Sequence, residues 1–142
     1  MTIRPRPHPR RRRRGAAILE FALTCPILFM VTLGLVVLGL GVAQFQLVAS
    51  LAREGARWAT VRGAEYQATT GQAAATAADV KSKAILPLAV GLDPAALTPT
   101  VTWSPDNKPG SRVIVTVNYR WTPAAYLGTM TLSSTAVMTV SY

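Results

Sequence analysis

The sequence of 142 residues predicts an α+β fold with a long N-terminal helix, a second helix and a small three-stranded antiparallel sheet. Three observations lead to this prediction. An apolar run without charges follows the N-terminal region, a stripe of apolar and small residues continues it at helical spacing, and segments that alternate between apolar and polar residues occur in the last third of the chain. A helix lying across a small sheet is the simplest way to bury the apolar face of those segments.

The apolar run predicts a membrane-spanning helix. From Phe21 to Ala43 there are 23 residues without a charge. At about 1.5 Å per residue this run is roughly 35 Å long, which is enough to cross a hydrocarbon layer of about 30 Å. Five consecutive arginines, Arg10 to Arg14, precede the run and keep the N-terminus inside. We therefore expect a single-pass membrane protein with its N-terminus inside and its C-terminal domain outside.

The helical pattern continues beyond the apolar run. Apolar and small residues recur at spacings of three and four from Phe45 to Ala59. We therefore expect one helix from Ala16 to about Val61, ended by Gly63. Pro26 has no amide hydrogen and is expected to kink this helix. Small residues at four-residue spacing are expected to let another helix approach closely: Gly39 and Ala43, Ala52 and Ala56, and Gly55 and Ala59.

These patterns divide the chain into three regions: a basic cytoplasmic leader (1–15), a transmembrane and continuing helix (16–61) and an extracytoplasmic α+β domain (62–142). In the third region we expect a helix from about Thr70 to Ala89 and a linker from Gly91 to Pro99. Strands are expected at Thr100 to Trp103, Arg112 to Trp121 and Thr129 to Tyr142. The middle strand alternates valines with polar residues, which indicates that one of its faces is buried.

The formal net charge of +9 is unevenly distributed. Seven of the fifteen basic residues precede Gly15, and the rest of the chain has eight basic and six acidic residues. The eight are scattered, whereas nucleic-acid binding needs a basic patch or stripe. We therefore expect no nucleic-acid partner.

Candidate catalytic and metal-binding residues are sparse. The single histidine, His8, lies in the leader, and the single cysteine, Cys25, lies in the apolar run. No group of cysteine, histidine and acidic residues has the spacing of a metal site, and the acidic residues of the outer domain are isolated along the chain. We therefore expect neither enzymatic activity nor a bound metal or cofactor.

A glycine, an acid and an aromatic residue mark the start of the apolar run. Gly15 follows the arginines, four small or apolar residues come next, and then Glu20 precedes Phe21. A carboxylate at the edge of a membrane-spanning helix costs up to roughly 3 kcal/mol unless it is paired, so Glu20 is a candidate functional residue. This arrangement resembles a type IV prepilin processing site, which implies cleavage between Gly15 and Ala16.

A second motif narrows the resemblance. Arg14 to Pro26 and Leu51 to Ala59, together with the apolar run between them, resemble the TadE-like family of pseudopilins from the tight-adherence (Flp/Tad) pilus system. The resemblance implies a pilin-like fold and a minor structural subunit for pilus assembly. It also implies a location in the bacterial cytoplasmic membrane and an association with a surface pilus and with cell adhesion; incorporation into the fibre is one of the possible outcomes.

The resemblance further implies roles for single residues. Cleavage would place a new α-amine on Ala16, and in pilin-like assembly the carboxylate of Glu20 pairs with the amine of a neighbouring subunit. Phe21 belongs to the same processing and assembly motif. The implied partners are the membrane, a prepilin peptidase, other pilin or pseudopilin subunits and the pilus assembly machinery. Three residues of the second motif are implied to dock a partner: Arg53, Glu54 and Arg57.

An uncleaved, signal-anchored membrane protein whose outer domain binds an envelope partner is the alternative interpretation. The two interpretations predict different mature chains, since the first begins at Ala16 and the second retains the arginines. A processed subunit could enter the fibre, cap it or stay in the membrane, and these three outcomes stay open.

Overall fold

The computed structural model describes residues 12–123 and 128–142, with side chains from Gly15 onward. Most of the predicted leader, including His8, lies outside the described residues. The chain separates into two units, Met1–Leu38 and Gly39–Tyr142. One helix, α1, runs from Arg12 to Thr60 and contributes to both.

The part of α1 in the first unit is apolar and exposed. From Gly15 to Leu38 every side chain is exposed except those of Cys25 and Val37, which are half-buried. Its hydroxyl groups are satisfied within the helix, as shown by Thr24 Oγ1, which donates to the carbonyl oxygen of Glu20 at 2.9 Å. Among the described residues, α1 is the one helix long and apolar enough to cross a membrane. Pro26 lies inside it, and the kink there stays a prediction.

The second unit contains a three-stranded antiparallel sheet in the order β1-β2-β3. The strands are β1 (Leu97–Ser104), β2 (Arg112–Trp121) and β3 (Met130–Thr139). The register places Val115 of β2 opposite Val101 of β1 and Ala136 of β3. Together with the helices, this sheet confirms the predicted α+β fold.

The core of the second unit lies between the C-terminal part of α1 and one face of the sheet. Val113, Val115 and Val117 of β2 are completely buried, as the alternation in the sequence predicts. The residues of α1 in this core are mostly small, which lets the helix axis lie close to the strands. They are Val48, Leu51, Ala52, Ala56 and Ala59.

The helical segment after α1 differs from the single helix expected at about Thr70 to Ala89. A short helix, α2, covers Ala64–Thr70 and ends at Gly71, whose φ of 71° is the left-handed conformation favoured at a helix C-terminus. A second segment starts with α3 (Ala77–Asp79) and continues through a π-helical turn and a 3₁₀ turn as far as Leu88. Thr76 starts α3 by a reciprocal capping box with Asp79.

Strand β1 starts at Leu97, although the sequence analysis assigned the region from Gly91 to Pro99 to a linker. Pro99 lies inside the strand, opposite Val117. Because β1 is an edge strand, a residue without an amide hydrogen can be accommodated there without loss of a bond to β2. A proline therefore did not mark the boundary of this element.

Candidate processing and assembly site

The predicted cleavage site lies near the N-terminal limit of the described part of α1. This part of the helix runs from Arg12, and the bond between Gly15 and Ala16 lies three residues further along it. Gly15 and Ala16 are both exposed. The described residues therefore leave this bond uncovered by the rest of the chain.

Among the described residues, nothing excludes a side chain at position 15. A β-carbon added to Gly15 would meet no atom within 4 Å, and the same is true of Gly34 and Gly39. In contrast, a β-carbon on Gly55 would lie 3.1 Å from Cγ1 of Ile85. The packing of the described residues thus distinguishes Gly55 from Gly15.

Glu20 and Phe21 are both exposed on α1, and the side chain of Phe21 is 69% exposed. Among the residues with described side chains, no cation forms an ion pair with Glu20. Ala16 lies four residues before Glu20, so the two lie on the same face of the helix about one turn apart. The spacing therefore brings the position of a new α-amine on Ala16 to the face of the helix that carries Glu20.

The charged residues of the second motif are on the solvent side of α1. Arg57 forms a two-point ion pair with Glu54, in which Nε lies 3.1 Å from Oε2 and Nη2 lies 2.9 Å from Oε1. The hydrogen bond with Glu54 and the negative charge of Glu54 both raise the pKa of Arg57. Arg53 is exposed and forms no ion pair with a described residue. The docking role of these three residues stays a prediction.

The small residues of the second motif have a partner within the chain. Ala52 and Ala56 are completely buried in the core, and an added β-carbon on Gly55 would also lie 3.3 Å from Cγ1 of Val115. The sequence analysis expected these small residues to admit another helix. They instead admit the chain's own sheet and the π-helical turn, because the sheet covers this face of α1.

A stack of cationic and aromatic side chains at the end of α1 was missed by the sequence analysis. The guanidinium carbon of Arg62 lies 4.3 Å from the ring centroid of Trp58 and 6.0 Å from that of Tyr66. These three side chains are four residues apart in the sequence, a spacing that could have indicated the stack. The sequence analysis placed the end of the helix at Gly63, between Arg62 and Tyr66, and so did not consider them together. The stack lines a cleft of about 390 Å³ that also contains Asp79 and Lys83.

The carboxylate of Asp79, which lines this cleft, forms its contacts with nearby residues of its own helical segment. Lys83 Nζ lies 2.8 Å from Oδ1 of Asp79, and the hydroxyl of Thr76 donates to Oδ2 at 2.6 Å. The hydrogen bond from Lys83, followed by those from Thr76, lowers the pKa of Asp79 to about 2. In the part of the chain that the structure describes, no three His, Cys, Asp or Glu residues are grouped to hold a metal ion.

A comparison with protein families matches residues 15–57 to the family described as TadE-like protein. No curated protein and no solved structure matches the chain. The matched segment contains the residues from Gly15 through Phe21 and those of the second motif. The resemblance to the TadE-like family predicted from the sequence is therefore confirmed over residues 15–57.

Proposed function

We propose that the protein is a minor pseudopilin-like subunit for the assembly of a tight-adherence (Flp/Tad) pilus. A prepilin peptidase cleaves it between Gly15 and Ala16, and its outer domain lies outside the bacterial cytoplasmic membrane. It acts as a structural component that contacts other pilin or pseudopilin subunits and the assembly machinery. It is not an enzyme and has no nucleic-acid partner.

One observation carries this proposal. The match to the TadE-like family begins at residue 15, next to the bond at which cleavage is predicted, and ends at residue 57, the last charged residue of the second motif. The matched segment thus joins the processing motif to the helical residues that pack on the sheet.

The resemblance to pilin-like subunits implies the chemistry of assembly. Cleavage removes the arginine-rich leader and leaves an α-amine on Ala16, which is a cation near neutral pH. An amine and a carboxylate are each costly in a low-dielectric environment, but a pair of them is tolerated when they are in contact. The amine of one subunit and Glu20 of its neighbour therefore fix the register between two adjacent helices.

The intact mass of natively expressed protein tests the processing step. We expect a chain that begins at Ala16, and we expect the Gly15→Leu variant to keep its leader. Gly34→Leu is the matched control, since an added side chain at either position meets no other part of the chain. Retention of the leader by the wild-type protein would contradict the proposal and favour an uncleaved, signal-anchored protein that binds an envelope partner.

A further inference from the structure

One end of the sheet lies beside the last residues of the apolar run. A β-carbon added to Gly41 would lie 2.9 Å from Cζ3 and 3.0 Å from Cη2 of Trp121. Gly41 is still within the charge-free segment, which continues to Ala43. Two residues of helix rise only about 3 Å. The indole of Trp121 is therefore level with the outer end of the segment that crosses the membrane.

The partner of Trp121 across the sheet is also apolar. Met130, which pairs with Trp121 across β2 and β3, is 54% exposed. Trp121 itself is half-buried and packs against the core. We call Trp121 and Met130 the Trp121 end of the sheet. Exposed apolar side chains beside a membrane-spanning segment indicate an apolar environment around them.

The opposite end of the sheet is marked by Trp103, which pairs with Val113, eight residues before Trp121 on the same strand. At about 3.4 Å per residue, Val113 and Trp121 are roughly 27 Å apart. The connection that follows Trp103 contains an exposed ion pair between Asp106 and Lys108. Trp103 therefore lies well away from the part of the charge-free run that Trp121 contacts.

We propose that the Trp121 end lies in the interface of the outer membrane leaflet and binds phospholipid. The proposal rests on the membrane insertion included in the proposed function. The indole of Trp121 lies between headgroup and acyl chain, where tryptophan is enriched in membrane proteins. Met130 contacts the upper acyl chains. Arg120, which is exposed and adjacent to Trp121, reaches a lipid phosphate.

We favour lipid over a second copy of the chain as the molecule that covers the Trp121 end, because this end continues the exposed apolar surface of α1. Leu40 is 55% exposed and Val42 is 58% exposed on the helix next to Trp121. These residues belong to the segment for which the bilayer is the expected solvent. The same lipid shell that covers them would extend over the adjacent Trp121 end.

Tryptophan fluorescence in vesicles tests the proposal. The full chain is reconstituted into phosphatidylcholine brominated either near the headgroup end or near the methyl end of the acyl chain. One variant keeps Trp121 alone (Trp58→Phe with Trp103→Phe), and its matched control keeps Trp103 alone (Trp58→Phe with Trp121→Phe). We expect bromine near the headgroup end to quench Trp121 at least about twofold more than Trp103. We expect bromine near the methyl end to have a smaller effect on Trp121.

A third variant separates this proposal from membrane insertion itself. Phe29→Trp, with the three native tryptophans replaced by phenylalanine, places one indole in the middle of the apolar run. If bromine near the methyl end quenches this indole, the helix is inserted. If the helix is inserted but bromine quenches Trp121 and Trp103 equally, the proposal is overturned. A second copy of the chain that covers the Trp121 end and shields it from lipid would give this result. An unquenched indole at position 29 would contradict membrane insertion and with it the proposed function.

A measurement that leaves the tryptophans unchanged gives an independent test. Met130→Cys and Thr102→Cys, each combined with Cys25→Ser, place a nitroxide label at opposite ends of the sheet on exposed side chains. We expect the label at 130 to collide more with oxygen, which is concentrated in lipid, and the label at 102 to collide more with a water-soluble nickel chelate. Equal access of the nickel chelate to both labels would overturn the proposal.

Discussion

The two parts of α1 belong to one continuous helix but lie in different surroundings. From Gly15 to Leu38 the helix exposes large apolar side chains, and the glycines at 15 and 34 have no neighbour that excludes a side chain. From Val48 to Ala59 the buried residues face the sheet, and Gly55 lies against Ile85 and Val115. The difference teaches that no described part of the chain constrains the residues of the first part by packing. Residue choice in the second part is set by the chain's own core.

The largest expected effect is at Glu20, because this residue has no role in the core. We expect Glu20→Gln to insert into the membrane and to be processed, but to lose incorporation into the assembly, since the neighbour's amine has no carboxylate to pair with. Co-purification with pilus components measures the loss. Glu65→Gln is the control, because Glu65 is an exposed acid on α2. Normal co-purification of the Glu20→Gln variant would remove the proposed external role of the first part of α1.

A glycine in the second unit is expected to show the opposite behaviour. A β-carbon on Gly63 would lie 2.9 Å from the carbonyl oxygen of Asn107 and closer still to that of Tyr142. The amide of Gly63 also donates to Tyr142 at 2.7 Å. We expect Gly63→Ala to lower the free energy of unfolding of the outer domain by about 2 to 4 kcal/mol, because the backbone must shift and hydrogen bonds are lost.

Urea unfolding in detergent, followed by tryptophan fluorescence, measures this change. Gly39→Ala is the matched control, because an added β-carbon there meets nothing within 4 Å. We expect this control to unfold at the same urea concentration as the wild-type protein or at a slightly higher one. Equal destabilisation by the two substitutions would contradict the distinction between the two parts of the molecule.

The start of α3 gives a smaller effect. Thr76 Oγ1 accepts a hydrogen bond from the amide of Asp79 at 3.2 Å. Replacement of a helix N-cap by alanine costs about 1 kcal/mol. We expect Thr76→Ala to lower the free energy of unfolding by about this amount, and Thr76→Ser to restore most of it. An unchanged urea midpoint for Thr76→Ala would show that the N-cap of α3 does not contribute to the stability of the outer domain.

The smallest expected effect is a dependence of stability on pH. The pKa of Asp79 is lowered from 3.8 to about 2 in the folded protein, chiefly by its hydrogen bond with Lys83. Folding therefore favours the ionised carboxylate, so its contribution is complete above pH 3.8 and is lost as the pH falls toward about 2. A hydrogen bond from Ser111 also lowers the pKa of Asp106, which adds to the same trend.

Unfolding at a series of pH values tests this dependence. We expect the free energy of unfolding of Asp79→Asn to fall less steeply between pH 4 and pH 2 than that of the wild-type protein, because the variant has one fewer group that takes up a proton on unfolding. Lys83→Gln removes the main partner and should also flatten the decline. Parallel curves for wild-type and Asp79→Asn would contradict the ion pair with Lys83.

The sequence by itself determined the α+β class, the apolar helix, the buried face of β2 and the residues of the processing motif. These features depend on local quantities: a charge-free run long enough to span a bilayer, and an alternation that brings Val113, Val115 and Val117 to one face. The motif around Gly15 and Glu20 could also be recognised from the sequence, because its residues are neighbours along the chain. The match to the TadE-like family over residues 15–57 needed no tertiary contact, and the roles of these residues stay predictions.

Only the tertiary structure decided what covers each face. Periodicity shows that Ala52, Gly55 and Ala56 need a close neighbour, but it does not distinguish another helix from the chain's own sheet. The contact of Gly41 with Trp121 joins positions 80 residues apart, and no local pattern carries that pairing. The helix break at Gly71 and the proline inside β1 were likewise set by neighbours, because capping and edge position outweigh local preference.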